Sequence, residues 1–177
     1  MRYTVLILAL LMVCGCGRHK TTDYGADRVV SIETTAISFI NTPPDGRYGD
    51  KIFRGTGQQT ARALASALAP YTQKIIFGEQ TSKQEAIFAA AKNAGARYVY
   101  IPSIVAWEYR RPMSWRRSKL TLDIKVFDLS QPEGGQLILH KELYEEGSNN
   151  VTPDSKPAAL VQDMFERFAK AAFMPEK

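Results

Sequence analysis

The chain has 177 residues, of which 45% are hydrophobic and 23% are charged, and its formal net charge is +5. These values are ordinary for one soluble globular domain and exclude a disordered or fibrous protein. Cys14 and Cys16 are the two cysteines, and His19 and His140 are the two histidines. Their number and position exclude a disulfide framework, a cysteine zinc site, a catalytic thiol in the body of the chain and a histidine-rich metal site. We therefore expect no metal and no other cofactor, and the mild, dispersed positive charge does not favour nucleic acid as a partner.

The N-terminus predicts a lipid anchor. The apolar run Tyr3–Val13 follows Met1-Arg2, and it is too short for a transmembrane helix, which needs about 20 apolar residues. It is typical of a signal-peptide core. The small Gly15 before Cys16 resembles a bacterial lipobox, which implies cleavage after Gly15, a signal peptide over residues 1–15 and lipidation of Cys16. The alternatives are a plain secretory signal and a short buried helix.

The residues after the cysteine predict where the protein is held. Gly17 follows Cys16; in lipoproteins that resemble this one, Asp at that position retains the protein at the inner membrane. We therefore expect the outer membrane and the periplasmic side. Residues 16–27 are polar and without period, which predicts an acylated N-terminus and a flexible tether. Fully extended, it would hold a single globular periplasmic domain, residues 28–177, at most roughly 35 Å from the bilayer.

The first half of that domain predicts alternating strands and helices. Apolar residues at helical spacing over Gln58–Ala69, and again between Ser82 and Gly95, predict two helices. Thr56 with Gln59, and Ser82 with Glu85, match capping boxes that would begin them. The predicted strands are Arg28–Ile32, Ala36–Ile40 and Lys74–Phe77.

The second half predicts three strands and a closing helix. Tyr98–Val105 is a nearly continuous apolar run, in which Pro102 predicts a bulge or an edge. Leu120–Phe127 alternates cleanly, a turn over Pro132–Gly135 follows, and Leu137–Tyr144 returns. Ala158–Phe173 is amphipathic. The fold class is therefore α/β (α+β): a two-layer or three-layer sandwich in which three helices cover a mixed sheet of about five strands.

Several segments together carry a family resemblance. TPPDGRYGD, GTGQQTARALASAL, AGARYVYIPSIVAWEYR, a Trp-Arg-rich gap and VFDLS occur in this order between Thr35 and Ala172. They resemble a family of uncharacterised bacterial lipoproteins that is defined only as a domain of unknown function. The resemblance implies an envelope lipoprotein with no established activity. At the level of element order, the chain is similar to periplasmic domains of outer-membrane assembly lipoproteins, among them peptidoglycan-synthase activators and the curli secretion lipoprotein.

The strongest candidate binding surface is an aromatic and basic segment between two predicted strands. Trp and Arg are enriched at binding hot spots, and Arg also stacks on Trp. Such a loop could contact an envelope protein, a glycan strand or anionic headgroups; alternatively, the tryptophans cover the sheet edge and the arginines are solvated. The candidate residues are Trp107, Tyr109, Arg110, Arg111, Trp115, Arg116 and Arg117.

A weaker candidate is an anion site at the start of a helix. Glycines before a helix leave backbone N–H groups available to an anion. The alternative is a structured turn in which Thr56 caps the helix. The candidate residues are Arg47, Arg54, Gly55, Thr56 and Gly57.

We expect a non-enzymatic envelope module that binds another envelope protein or peptidoglycan and is held to the membrane by its lipid. The alternative is an envelope enzyme that acts on peptidoglycan or a phosphorylated ligand through arginines and the carboxylates Glu108, Asp123 and Asp128. A pocket gathering Glu108, Asp123 and an arginine would favour the enzyme. An exposed patch of Trp107 and Trp115 would favour partner binding, and an unpaired edge strand would favour assembly.

Overall fold

Three helices and a mixed sheet form the fold of the computed structural model, which describes residues 18–24, 35–109, 117–130, 134–147 and 157–173. Its sheet has six strands in the order β1-β8-β7-β6-β2-β5, and β3 and β4 form a separate hairpin. The predicted fold class is confirmed. The elements are β1 (Arg18–Asp23), β2 (Ile37–Asn41), β3 (Gly46–Tyr48), β4 (Lys51–Phe53), α1 (Thr56–Leu68), a 3-10 turn (Ala69–Tyr71), β5 (Lys74–Gly78), α2 (Gln84–Asn93), β6 (Tyr98–Glu108), β7 (Lys119–Asp128), β8 (Gln136–Glu146) and α3 (Pro157–Phe173).

The sheet joins a parallel part to an antiparallel part. β2 pairs in parallel with β5 on one side and with β6 on the other. Because parallel neighbours need a crossover connection, α1 connects β2 to β5 and α2 connects β5 to β6. β6, β7 and β8 then form the predicted antiparallel meander.

Helices cover both faces of the sheet. On one face α1 and α3 pack against the alternate apolar side chains of β7, such as Leu122 and Ile124, which are fully buried. On the other face α2 buries Ile87 and Ala91 in a smaller core with Phe39. Since adjacent strand residues point to opposite faces, Ile40 packs in the larger core and Phe39 in the smaller one. The domain therefore has three layers.

The N-terminal edge of the sheet corrects the tether prediction. Arg18–Asp23 forms β1 and pairs antiparallel with β8 from Arg18 opposite Glu146 to Asp23 opposite Lys141. The prediction of a flexible tether is therefore wrong for these six residues. Their side chains are polar and mostly exposed, so backbone pairing holds a strand that the side-chain pattern does not indicate. Cys16, the signal segment and the predicted strand Arg28–Ile32 lie outside the described residues.

Both predicted capping boxes are wrong. The residue before α1 is Gly55, in a left-handed conformation with φ of 83°, and no side chain caps the helix from that position. The hydroxyl of Thr56 instead donates to the carbonyl of Phe53 and accepts from the N–H of Gly46. α2 begins after Lys83, again without a side-chain cap. Of the helices in the described ranges, none combines the length and hydropathy of a membrane span.

The structure separates the two features predicted at Pro102, an edge and a bulge. The residues of β6 that pair with β2 are Tyr98–Tyr100. Pro102 therefore lies beyond that ladder, and its strand partner among the described residues is Ile124 in β7, which agrees with an edge. The bulge itself is between Ile104 and Ala106.

Replacing Gly57 tests how closely the chain packs at the start of α1. A Cβ on Gly57 would lie 2.1 Å from the carbonyl oxygen of Pro43. Gly57→Ala should therefore lower the free energy of unfolding by about 3 kcal/mol, the upper part of the range for overpacking. Gln58→Ala changes an exposed residue of the same helical turn and should cost less than about 0.5 kcal/mol. Equal urea midpoints for the two variants would contradict this packing.

Candidate functional site

Trp107 is a core residue, which corrects its prediction as a binding residue. Its side chain is 3% exposed. The β3 strand crosses β6 so closely that a Cβ on Gly46 would lie 2.7 Å from the Cβ of Trp107. Tyr109 is 37% exposed and Arg117 is half-buried. The other candidates of this surface, Arg110, Arg111, Trp115 and Arg116, lie outside the described residues.

One N–H group of the predicted anion site, that of Gly57, is satisfied within the protein itself. Gly57 donates its backbone N–H to the Oδ1 of Asp45 at 2.9 Å. A carboxylate there satisfies a free N–H and lies at the positive end of the helix dipole. Arg47 and Arg54 are exposed on the neighbouring hairpin and turn. The prediction that Gly55, Thr56 and Gly57 leave their N–H groups available to an external anion is therefore wrong for Gly57.

The three carboxylates considered for catalysis lie apart. Asp123 is opposite Ser103 in the β6–β7 ladder, whereas Glu108 is opposite Lys119 at the end of the same ladder. The Oδ1 of Asp123 lies 2.7 Å from the Nε2 of His140. Within the described ranges, no three His, Cys, Asp or Glu side chains gather in a metal-binding arrangement.

Asp128 forms an ion pair with Arg97, with 3.4 Å between Oδ2 and Nη2. Burial raises the pKa of Asp128, but hydrogen bonds from Ser130 and Arg97 outweigh this effect, so the pKa is lowered. The carboxylate is therefore held in its charged form as part of the framework at the end of β7.

A cavity of about 340 Å³ lies at the carboxyl end of β2, between the loops that precede α1 and α2; we call it the β2 cavity. Sequence analysis did not predict it, because its walls come from four separate segments of the chain. One signal was present in the sequence: the apolar strand β2 ends in a polar residue, Asn41. The polar side chains in its wall are Asn41, Asp45, Thr81, Ser82, Gln84, Ser103 and Lys125.

A second cavity, of about 200 Å³, lies between β1, β8 and α3. Its wall combines the basic side chains of Lys20, Lys141 and Arg167 with the apolar Met164 and Phe168. Arg167 also pairs with the buried Glu145. Burial raises the pKa of Glu145, and Arg167 opposes that shift only in part.

Replacing Asp45 tests whether its carboxylate stabilises the start of α1. Asp45→Ala should lower the free energy of unfolding by about 1 kcal/mol, as for the loss of a helix cap. Asp45→Asn keeps an acceptor for the N–H of Gly57 and should lose less. Asp50→Ala, in the exposed turn between β3 and β4, is the matched control. If the urea midpoint of Asp45→Ala equals that of Asp50→Ala, the carboxylate does not stabilise the helix.

Solved structures share the fold at low sequence identity. PelC from Paraburkholderia phytofirmans, described as a dodecamer, has a TM-score of 0.64 at 11% identity, over 91% of this chain and 100% of that one. The hypothetical protein CT253 from Chlamydia trachomatis has 0.51 at 14%, over 78% and 98%. Lipoprotein GNA1162 from Neisseria meningitidis has 0.48 at 8%, over 76% and 99%, a score too low to establish a common fold. At the identities of the first two, the likeness establishes the fold alone.

No curated protein matches the sequence. Residues 31–137, more than half of the 177 residues, match the model of a domain of unknown function, DUF4823. This match overlaps most of the region whose motifs indicate a family of uncharacterised proteins, and the chain therefore belongs to the DUF4823 family.

Proposed function

We propose that this protein is a lipid-anchored module of the bacterial envelope, held on the periplasmic side of the outer membrane, that binds or assembles with other envelope components and carries out no reaction of its own. The observation that carries the proposal is the start of β1. Arg18, its first residue, is two positions after Cys16. A lipid on Cys16 would therefore hold the sheet within about 7 Å of its attachment point.

The same end of the sheet brings together the ends of the aromatic and basic segment. Arg18 is opposite Glu146, Glu146 is opposite Lys119, and Lys119 is opposite Glu108. Tyr109 follows Glu108, and Arg117 lies two residues before Lys119. The two residues that flank the undescribed segment therefore lie at the same end of the sheet as Arg18, close to the proposed anchor. This position supports a contact of that segment, which contains Arg110, Arg111, Trp115 and Arg116, with headgroups or with an envelope partner.

The side chains that an enzyme would need have structural partners. Asp45 holds α1, Asp128 is paired with Arg97, and Asp123 is hydrogen-bonded to His140. Hydrolysis by a carboxylate pair needs both groups within about 5–10 Å. Glu108 and Asp123 face different residues of the ladder, five positions apart along β6. These contacts favour the binding module over the enzyme.

Lipidation can be tested with two serine variants. Cys16→Ser should abolish incorporation of radiolabelled palmitate and release the protein from membranes, because stable anchoring requires at least two acyl chains. Cys14→Ser is the matched control, since Cys14 would leave with the signal peptide. If Cys16→Ser remains in the membrane fraction and still carries label, the anchor is wrong.

The likeness to PelC favours one kind of partner, further copies of this chain. PelC, which shares the fold over 91% of this chain, is a dodecamer. Among the described strands of this chain, β5 is the outermost of the sheet on one side. An edge strand presents unpaired N–H and C=O groups to another chain. Phe77, on β5, is 52% exposed and adds an apolar contact beside them.

A charge at this edge should reduce assembly. Phe77→Lys should shift the full-length protein in detergent toward monomers, measured by sedimentation velocity, because a Lys at an edge opposes strand pairing. Ile52→Lys places the same charge at a similarly exposed position, 48%, on the β3–β4 hairpin and should leave the distribution unchanged. A monomeric wild type, or equal distributions for both variants, would contradict assembly through β5.

A further inference from the structure

The two outermost strands of the described sheet run in opposite directions. In the order β1-β8-β7-β6-β2-β5, the first three neighbouring pairs are antiparallel and the last two are parallel. β5 is therefore antiparallel to β1. When a second copy lies beside the first in the same orientation, β5 of one copy is next to β1 of the other, and the two strands can pair as an antiparallel ladder that continues the sheet.

Antiparallel pairing of two β5 strands does not fit a common membrane. Such a pair of identical edges is related by a two-fold axis perpendicular to the strands, which turns the start of β1 in opposite directions in the two copies. The lipid proposed on Cys16, two positions before Arg18, would then lie at opposite ends of the pair. A contact between β5 and β1 keeps this end on the same side in every copy. This constraint rests on the lipid anchor proposed above.

Phe77 projects from β5 on the face of the larger core. It is opposite Ile40 in the β2–β5 ladder, and Ile40 is fully buried in the larger core. The preceding Ile76 packs against the smaller core, so alternation also places Phe77 on the larger-core face. Its side chain is nevertheless 52% exposed. Phe77 is therefore an apolar projection at this edge of the sheet.

The cavity between β1, β8 and α3, which we call the β1 cavity, lies on the same face at the opposite edge. Thr21 in β1 is opposite Leu143 in β8, and Leu143 is buried in the larger core with Met164 and Phe168 of α3. Ala171 follows these two residues on one face of α3 at helical spacing. All five residues line the cavity, and Thr21 and Ala171 are exposed. The cavity is therefore accessible beside the edge strand.

The size of the β1 cavity suits the ring of Phe77. A cavity of about 150 Å³ is large enough for benzene, and the β1 cavity has about 200 Å³ and partly apolar walls. A single exposed aromatic side chain is not unusual by itself. Here, however, an apolar projection and a partly apolar cavity lie at the two edges that would meet. A projection that fits a cavity elsewhere on the same molecule gives a heterologous contact, which repeats from copy to copy.

The charges of the two strands favour the antiparallel order. Glu79 directly follows β5 and is exposed. In the antiparallel order it meets the start of β1, where Arg18 and Lys20 are exposed. A parallel order would instead place Lys74, the first residue of β5, beside these basic residues. Opposite charges on facing strands stabilise pairing, and like charges oppose it.

We propose that copies of this chain associate head to tail, with β5 of one copy paired antiparallel to β1 of the next and Phe77 inserted into the β1 cavity. Each added copy leaves one β1 edge and one β5 edge free, so the contact repeats until the copies close into a ring. The inference rests on the assembly through β5 proposed above and adds the surface that receives this strand.

Blocking the β1 cavity tests the receiving surface. Ala171→Arg places a long charged side chain there and should raise the concentration at which half of the full-length protein in detergent is assembled about tenfold or more, measured by sedimentation velocity. Ala89→Arg makes the same change at an exposed position of α2, outside the cavity, and should assemble as the wild type does. Thr21→Arg blocks the cavity from β1 and replaces Ala171→Arg if circular dichroism shows that variant to be unfolded.

Mixing two blocked variants distinguishes a contact between β5 and β1 from a contact between two β5 strands. Phe77→Lys retains an intact β1 cavity, and Ala171→Arg retains an intact β5. At the concentration where the wild type is just assembled, each variant alone should be monomeric. An equimolar mixture should form a dimer with one copy of each, because one intact contact remains and neither copy can extend it. The double variant Phe77→Lys/Ala171→Arg should pair with neither single variant.

The results distinguish a wrong β1 contact from a wrong assembly through β5. A monomeric wild type, or a Phe77→Lys variant that assembles as the wild type does, would overturn both. If Phe77→Lys dissociates but Ala171→Arg and Thr21→Arg remain assembled, the β1 contact is wrong and assembly through β5 stands. A mixture of Phe77→Lys and Ala171→Arg that stays monomeric would also overturn the β1 contact alone.

Discussion

The position of β2 between β5 and β6 is the constraint on which the fold depends. Its adjacent residues Phe39 and Ile40 are buried on opposite faces of the sheet, so one five-residue strand contributes to both cores. The fit is close, because a Cβ on Gly78 in β5 would lie 2.4 Å from the ring of Phe39. A strand buried on both faces cannot slip its register without exposing one apolar set. The register of β2 thereby fixes where the loops that line the β2 cavity begin.

Periodicity in the sequence was enough to predict the regular elements. The alternation of Leu120, Leu122 and Ile124 indicates β7, and the structure buries all three. The helical spacing in the chain before Pro70 and after residue 157 indicates α1 and α3, whose observed ends differ from the predicted ones by at most two residues. These signals were reliable because burial of a single face determines both the element and its side-chain pattern.

Contacts between distant segments could not be predicted in this way. Asp45 accepts from the N–H of Gly57 from 12 residues earlier in the chain, and that contact satisfies one of the N–H groups that were predicted to be available to an anion. Trp107 reads as part of a basic and aromatic surface, but β3 crosses it and places it in the core. Nor did the polar residues of β1 indicate a strand, because its stability comes from backbone pairing with β8. Each of these corrections depends on which segments meet, and a local pattern does not contain that information.

The short link between Cys16 and β1 has a consequence for how the proposed module would meet its partners. A domain attached through one intervening residue can neither swing across the periplasm nor sample many orientations. If Cys16 is lipidated as proposed, its search would be lateral, in the plane of the bilayer, with one end of the sheet turned toward the lipid. Such confinement raises the effective concentration of neighbouring copies and of other membrane-bound proteins. Contacts too weak to form in free solution would then suffice, and a partner that is not itself at the membrane would have to extend to reach it.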